Sequence, residues 1–294
     1  MTDLAQANPQ EAKPRKRFRL GGAWALLIPA FVVVFLFFVL PLIDIIVRSF
    51  TDVSPADTRG NYWWLVSNTD NLIIGARTIL TSLVVTIACL VLAYPYAYLM
   101  TIVSDRSRKW LTLAVMMPLW TSILVRTMAW MILLQDTGPI NAFLEAIGIG
   151  AQPLIRTTFG VALGMAQVLL PFMVLPLYSA MSKIDPRLLT ASSSLGANGI
   201  TSFFTVYLPL SRPGIFAGSV TVFILGLGFY IIPSLLGSPQ EAMISSLIYL
   251  QVSQFLEWGH GATLGVALLA VTALLLAGFS KLTKQSAAKA GADR

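Results

Sequence analysis

Long apolar blocks and short polar stretches alternate along most of the chain. The apolar blocks fall at roughly 23–47, 78–103, 111–134, 159–181, 214–236 and 260–279. Each is long enough to cross the ~30 Å hydrocarbon core of a bilayer as a helix. The pattern therefore predicts an all-α, polytopic membrane protein with six transmembrane helices. One interruption is built unlike the others. Between residues 185 and 214, Asp185 and Pro186 read as a helix start, and Leu188, Ala191, Ser192 and Leu195 follow at helical spacing. Gly196 stands where a C-terminal stop belongs. A second amphipathic run, Phe203, Phe204 and Tyr207, is expected to end at Pro209 and Pro213. The stretch predicts a short helix–turn–helix between two spans.

Composition narrows this picture. The 294 residues are 56% hydrophobic and 11% charged, against about 25% charged in soluble proteins, so there is too little polar surface to clothe a soluble domain. The net charge of +7 does not gather on one face, which argues against a nucleic-acid partner. It lies at the ends of the apolar blocks, where it reports topology. Fifteen of the 20 Lys and Arg fall in the N-terminal tail, the 104–110 loop, the 183–212 region and the C-terminal tail. Four (Arg48, Arg59, Arg77 and Arg156) fall at the other ends, and Arg126 lies inside an apolar block. That excess assigns both termini and the helix–turn–helix to the cytoplasm. Eight of the 13 acids, among them Asp52, Asp70 and Glu257, take the opposite side. An acidic outer mouth would concentrate cations; the scarcity of Lys and Arg in outer loops explains the same bias equally well.

Motifs for chemistry are missing from the sequence. It holds no phosphate-binding Gly-Lys loop, no His-Glu-x-x-His and no Cys/His cluster, so neither catalytic residues nor a cofactor or metal are expected. Cys89 and His260 read as packing or interfacial residues.

Spacing supplies the positive identification. Thr190, Ala191 and Ser192 are followed by Gly196 and, after nine intervening residues, by Val206, Tyr207, Leu208 and Pro209. This resembles the EAA loop of binding-protein-dependent ABC importer permeases: Glu-Ala-Ala, three residues, Gly, nine residues, Ile-x-Leu-Pro. Ala191, Gly196, Leu208 and Pro209 match; Thr190 replaces the glutamate and Ser192 the second alanine. Residues 117–141, Ser211 to Gly214, Ile231 to Gly237 and Met243 to Phe255 look like spermidine/putrescine-type permeases, and the similarity covers most of 78–280. The resemblance implies an inner-membrane subunit with a basic tail over 1–22, a permease domain over 23–280 and a tail over 281–294. It further implies a second permease subunit, cytoplasmic ATPase subunits docked at the 190–209 loop, and a periplasmic solute-binding protein. Transport of a cationic solute such as putrescine or spermidine follows from the same likeness, with relatives carrying opines or other small nitrogenous solutes.

Candidate path residues are Trp120, Arg126, Trp130, Asp136 and Tyr230. For an amine, the three aromatics could offer cation–π faces and Asp136 a counter-charge; membrane anchoring and packing serve them equally well. Counting along a straight helix puts Arg126 about 12 Å from the outer boundary, compatible with a gate or with a helix-end contact. Pro171, Pro176, Gly226, Gly228 and Pro233 would loosen the fourth and fifth spans along such a path. Two rivals are a gradient-driven secondary transporter, which would need paired broken helices and buried acids, and a membrane-embedded enzyme, which would need clustered catalytic side chains within the spans.

Overall fold

A computed structural model describes residues 28–53 and 59–292, with side chains described as far as 278. The described residues contain helices and turns and no strand. The tail over 1–22 and the start of the first expected span lie outside them. Two compact units divide between Ile45 and Ile46. In the first, residues 28–45 form helix, part of α1 (Ile28–Thr51).

The second unit carries the remaining helices: α2 (Asn61–Ser67), α3 (Thr69–Ile102), α4 (Asp105–Trp120), α5 (Ile123–Leu134), α6 (Pro139–Ala146), α7 (Thr158–Met181) and α8 (Arg187–Ser194). They are followed by α9 (Gly199–Leu227), α10 (Ile231–Leu236), α11 (Ile244–Ser253) and α12 (Trp258–Ala292). Five helices, α1, α3, α7, α9 and α12 up to Gly278, are long and apolar enough to cross a membrane. The remaining expected span, 111–134, is not one straight helix. After Trp120 the chain turns by 94° into α5, so six crossings are reached when this bent pair counts as one. Pro118 removes an N–H from the last turn of α4, and Thr121 and Ser122 are extended, with ψ of 147° and 132°. Arg126 stands just past this bend, in the first turn of α5, so the 126–134 stretch runs nearly at a right angle to α4 rather than in line with it.

Two further boundaries differ from the sequence pattern. Residues 69–77, expected in a loop, form the first turns of α3, capped by the Asn68 side chain on the Asp70 N–H. The second amphipathic run does not end at Pro209 or Pro213 but continues into α9 without a break. The reason is local. Phe203–Tyr207 is a π-turn, with the Leu208 N–H reaching back to the Phe203 carbonyl. This wider turn directly precedes Pro209, whose ring would otherwise meet the carbonyl four residues earlier.

The core is a three-helix seam of α3, α7 and α9. Val85, Cys89, Ala93 and Ala97 form an i,i+4 row on α3, and Val161, Met165, Leu169, Met173 and Leu177 form another on α7, all fully or almost fully buried. Gly214, Gly218, Val222 and Gly226 make the matching row on α9. A methyl at Gly214 would come within 2.6 Å of Ala180 Cβ, and one at Gly218 within 2.7 Å of Met173 Sδ. In lipid, where apolar burial gives no net drive, such small-residue rows let backbones approach and gain dispersion contact. Cys89 Sγ sits 3.5 Å from the Ala166 carbonyl, a packing role. α7 runs unbroken through Pro171 and Pro176. Of the expected loosening residues in the fifth span, Gly226 packs on Ser82, whereas Gly228 does end α9.

At the far end, His260 stacks on Trp64 with ring centroids 3.9 Å apart. Buried Asn61 donates to the carbonyls of Ser49 and Asp52, and Thr263 donates to Ser49. These bonds hold Ser49, Asp52 and Asn61 together and tie Ser49 to the start of α12.

Candidate functional site

The hairpin of α8 and α9 is closed by side chains that the sequence itself supplies. Asp185 Oδ1 accepts from the Arg187 N–H at 2.9 Å, and Pro186 already holds helical φ and ψ. At the other end of α8, Gly196 takes φ +88°. Its N–H donates to Ser193 and that of Ala197 to Ser192, at 3.0 and 3.1 Å. This is a Schellman stop, and it needs the left-handed residue that glycine provides. Two residues on, Asn198 caps α9 through the Thr201 N–H, at 2.7 Å.

The two arms are tied together. Ser192 Oγ donates to Ser202 Oγ at 2.7 Å, and Ser202 is buried. Leu189 turns inward beside Ser192, while Thr190, Ala191, Leu188 and Leu195 face outward. Leu195 is 89% exposed and Ile200 73%. Leu188, Leu195 and Ile200 thus stand uncovered by the described residues, interleaved with exposed Thr190, Ser193 and Ser194. Leu208 and Pro209, directly after the π-turn, are half-buried. The motif therefore spans an exposed tip (190–196) and a root inside the bundle (208–209).

Behind the hairpin lies an aromatic cluster. Phe203 packs edge-on to Tyr94, Tyr98 and Phe204 and stacks on Tyr207. Tyr94 and Ser211 share a hydroxyl hydrogen bond at 3.0 Å, and Thr101 and Tyr207 another at 3.4 Å. A cleft of about 220 Å³ opens beside the cluster, bounded by Tyr98, Thr101, Arg108, Tyr178, Leu189 and Tyr207. It brings the ends of α3 and α7 and the start of α4 to the hairpin.

The five candidate path residues do not gather in this cleft. Trp120 is exposed at the end of α4, and Asp136 is exposed in the turn after α5. Arg126 donates to the Thr121 carbonyl at 3.3 Å, while its buried Nε and Nη1 find no hydrogen-bond acceptor among the described residues. Trp130 is committed to α7, donating Nε1–H to Gln167 at 3.1 Å. Tyr230 lies between α9 and α10, its ring 4.9 Å from that of Tyr249.

Several organising residues had no signature in the sequence. Ser202 is ten residues from Ser192, a separation with no helical periodicity. Arg108 counted only as a topology charge, yet it closes the end of α3 by donating to the Met100 and Val103 carbonyls. Asn141, fully buried, braces the 135–152 segment by donating to Gln135 and Gln152 and accepting from the Gln152 N–H. An asparagine two residues inside a Pro-started helix was its only hint.

Comparison with known proteins places this arrangement. The family model described as "Binding-protein-dependent transport system inner membrane component" matches residues 97–283. The spermidine/putrescine transport system permease protein PotB of Haemophilus influenzae is 36% identical over 195 residues, covering 66% of this chain and 68% of that protein. Its Escherichia coli counterpart is 34% identical over 197 residues, covering 66% and 72%. The E. coli inner membrane ABC transporter permease protein YdcU is 36% identical over 213 residues, covering 68% and 67%. In fold, the chain is similar to a chain of a bacterial alginate ABC transporter in complex with an alginate pentasaccharide-bound periplasmic protein. That likeness has a TM-score of 0.73 at 17% identity, covering 91% of this chain and 95% of that one.

Proposed function

Because the chain belongs to the family of inner membrane components of binding-protein-dependent transport systems, we propose that it forms half of the translocation path for a small cationic solute. Putrescine and spermidine are the first candidates, since the named relatives are spermidine/putrescine permeases. It is a multi-pass inner-membrane permease subunit of an ABC importer, not an enzyme. Family membership does not favour a gradient-driven transporter.

The observation that carries the finer reading is the hairpin. A stiff, doubly capped turn with uncovered apolar side chains at its tip suits a seat in a cytoplasmic ATPase subunit. Thr190, Ala191, Ser192 and Gly196 would form or shape the docked part, with Leu208 and Pro209 rooting it in the bundle. Leu188, Leu195 and Ile200 would supply apolar contact there, in place of the polar contact that the family's glutamate offers. The basic residues at this end support a cytoplasmic hairpin and termini. In the proposed division, residues 1–22 and 281–294 flank a permease domain over 23–280; α12 continues into the last of these as far as Ala292. A second permease subunit and a periplasmic solute-binding protein would complete the importer.

Closure of the ATPase pair on ATP would move the hairpin, and α9 would carry that movement into the seam with α7 and α3, opening the path to alternate sides. Trp120, Arg126, Trp130, Asp136 and Tyr230 remain the proposed path residues. The test is uptake of labelled putrescine and spermidine into vesicles containing the assembled importer, with and without internal ATP. ATP-dependent uptake is expected. Uptake without any ATPase subunit would overturn the coupling, and failure of both amines to compete with the transported solute would remove the polyamine assignment.

A further inference from the structure

The first turns of α4 carry more cation than the fold uses. Arg108 is committed: beyond its two backbone bonds, Nη1 pairs with Asp105 at 2.7 Å. Its neighbours Arg106 and Lys109 are exposed and make no hydrogen bond or ion pair with the described residues. Arg106 stands one turn before Lys109 on the same face of α4. A second cleft, of about 300 Å³, runs along α4 from Lys109 to Met116, with Tyr178 of α7 on its other wall. Thr112, Leu113 and Met116 make its floor. It meets the hairpin-side cleft at Arg108 and Tyr178.

The chemistry changes along this groove. Lys109 stands at one end, the mouth, next to Thr112 and one turn from Arg106, whereas Leu113 and Met116 line it about 6 and 10 Å further along α4. Trp110, 66% exposed, stands next to the mouth, where an indole suits the headgroup level of a bilayer. A soluble anion would satisfy the mouth and leave the floor bare. An aliphatic chain would cover the floor and leave two cations unused. A molecule with an anionic head and a hydrocarbon tail answers both.

We propose that this groove binds an anionic phospholipid, its phosphate held by Lys109 and Arg106 and one acyl chain laid along Leu113 and Met116. Basic pockets between transmembrane helices are a known class of anionic-headgroup site. The bound lipid would tie the start of α4 to Tyr178, on the helix that leads into the hairpin. The inference rests on the membrane reading of the chain but not on which solute is carried, so it can fail while the transport assignment stands.

The test is native mass spectrometry of the purified importer complex, equilibrated with phosphatidylethanolamine, phosphatidylglycerol and cardiolipin. It is paired with crosslinking by a photoreactive phosphatidylglycerol. Phosphatidylglycerol or cardiolipin should be retained over phosphatidylethanolamine, and the crosslink should map to residues 109–116. Each lost cation should weaken retention about fivefold, so Arg106→Ala with Lys109→Ala should weaken it on the order of twentyfold. Arg77→Ala, near the opposite end of α3, should leave it unchanged. Unchanged retention in the double variant, equal loss in Arg77→Ala, a crosslink elsewhere, or protection of the 109–116 peptide by the transported solute would each overturn the proposal.

Discussion

Ser192 donates a hydrogen bond to Ser202 across the turn, oxygen to oxygen at 2.7 Å. This bond joins the exposed arm of the hairpin to the long helix that enters the bundle. The family pattern has alanine at this position, so here a polar residue does structural work that a methyl group could not.

Replacing Ser192 with Ala should therefore destabilise the hairpin, although it restores the family residue. A net hydrogen bond is worth about 0.5–1.5 kcal/mol, and a buried hydroxyl left without its partner costs more than removing both. Ser192→Ala and Ser202→Ala should each lower the melting temperature of the purified protein, and the double variant should recover part of the loss. A double-mutant cycle with no coupling energy would refute the tie.

Gly196 is open to solvent, and a Cβ there would meet nothing within 4 Å. The cost of a side chain is therefore conformational, about 1–2 kcal/mol for a left-handed residue. Gly196→Val should lower uptake and co-purification of the ATPase subunit while membrane insertion is unchanged, and Gly196→Asn should be milder because asparagine tolerates that φ. Equal loss for Val and Asn would instead point to direct contact by the glycine.

Gly214 and Gly218 fail for a different reason. Their backbones are pressed against α7, with Pro176 O and Met173 O 3.1 and 3.2 Å from where a Cβ would stand. Gly214→Val and Gly218→Val should abolish the folded, protease-resistant form in membranes. Gly228→Ala should not, since no atom lies within 4 Å of its Cβ position. Limited proteolysis of membrane preparations compares the three directly.

Trp130→Phe separates two roles. It keeps an aromatic face but removes the donor to Gln167, at a cost of about 1 kcal/mol. A structural role predicts lower thermal stability with an unchanged KM for solute uptake. A raised KM at unchanged stability would instead mark contact of the indole N–H with the solute.

The helical fold and the membrane blocks were legible because apolar runs of bilayer length have few alternative explanations. The Asp185–Pro186 start and the Gly196 stop were legible for a similar reason: caps depend on local backbone geometry, and residue type reports it directly. The break at Thr121 and Ser122 was not, because hydrophobicity continues across it and two small polar residues do not interrupt a hydropathy pattern. Pro209 misled in the opposite direction. Proline usually ends a helix, but the preceding π-turn makes room for it, and a π-turn has no composition of its own. Tertiary pairs such as Ser192 with Ser202 and Trp130 with Gln167 depend on packing directions that one-dimensional spacing does not encode.

The uninterrupted passage of α9 through Pro209 has a mechanical consequence. At 1.5 Å per residue the helix is a rod about 43 Å long, pressed against α7 at Gly214 and Gly218. That fulcrum lies about 26 Å from the Gly199 end and about 17 Å from the Leu227 end. A tilt that swings the hairpin by a given distance would move the opposite end by roughly two-thirds as much, in the reverse direction. The π-turn is what keeps the longer arm of this lever in one piece.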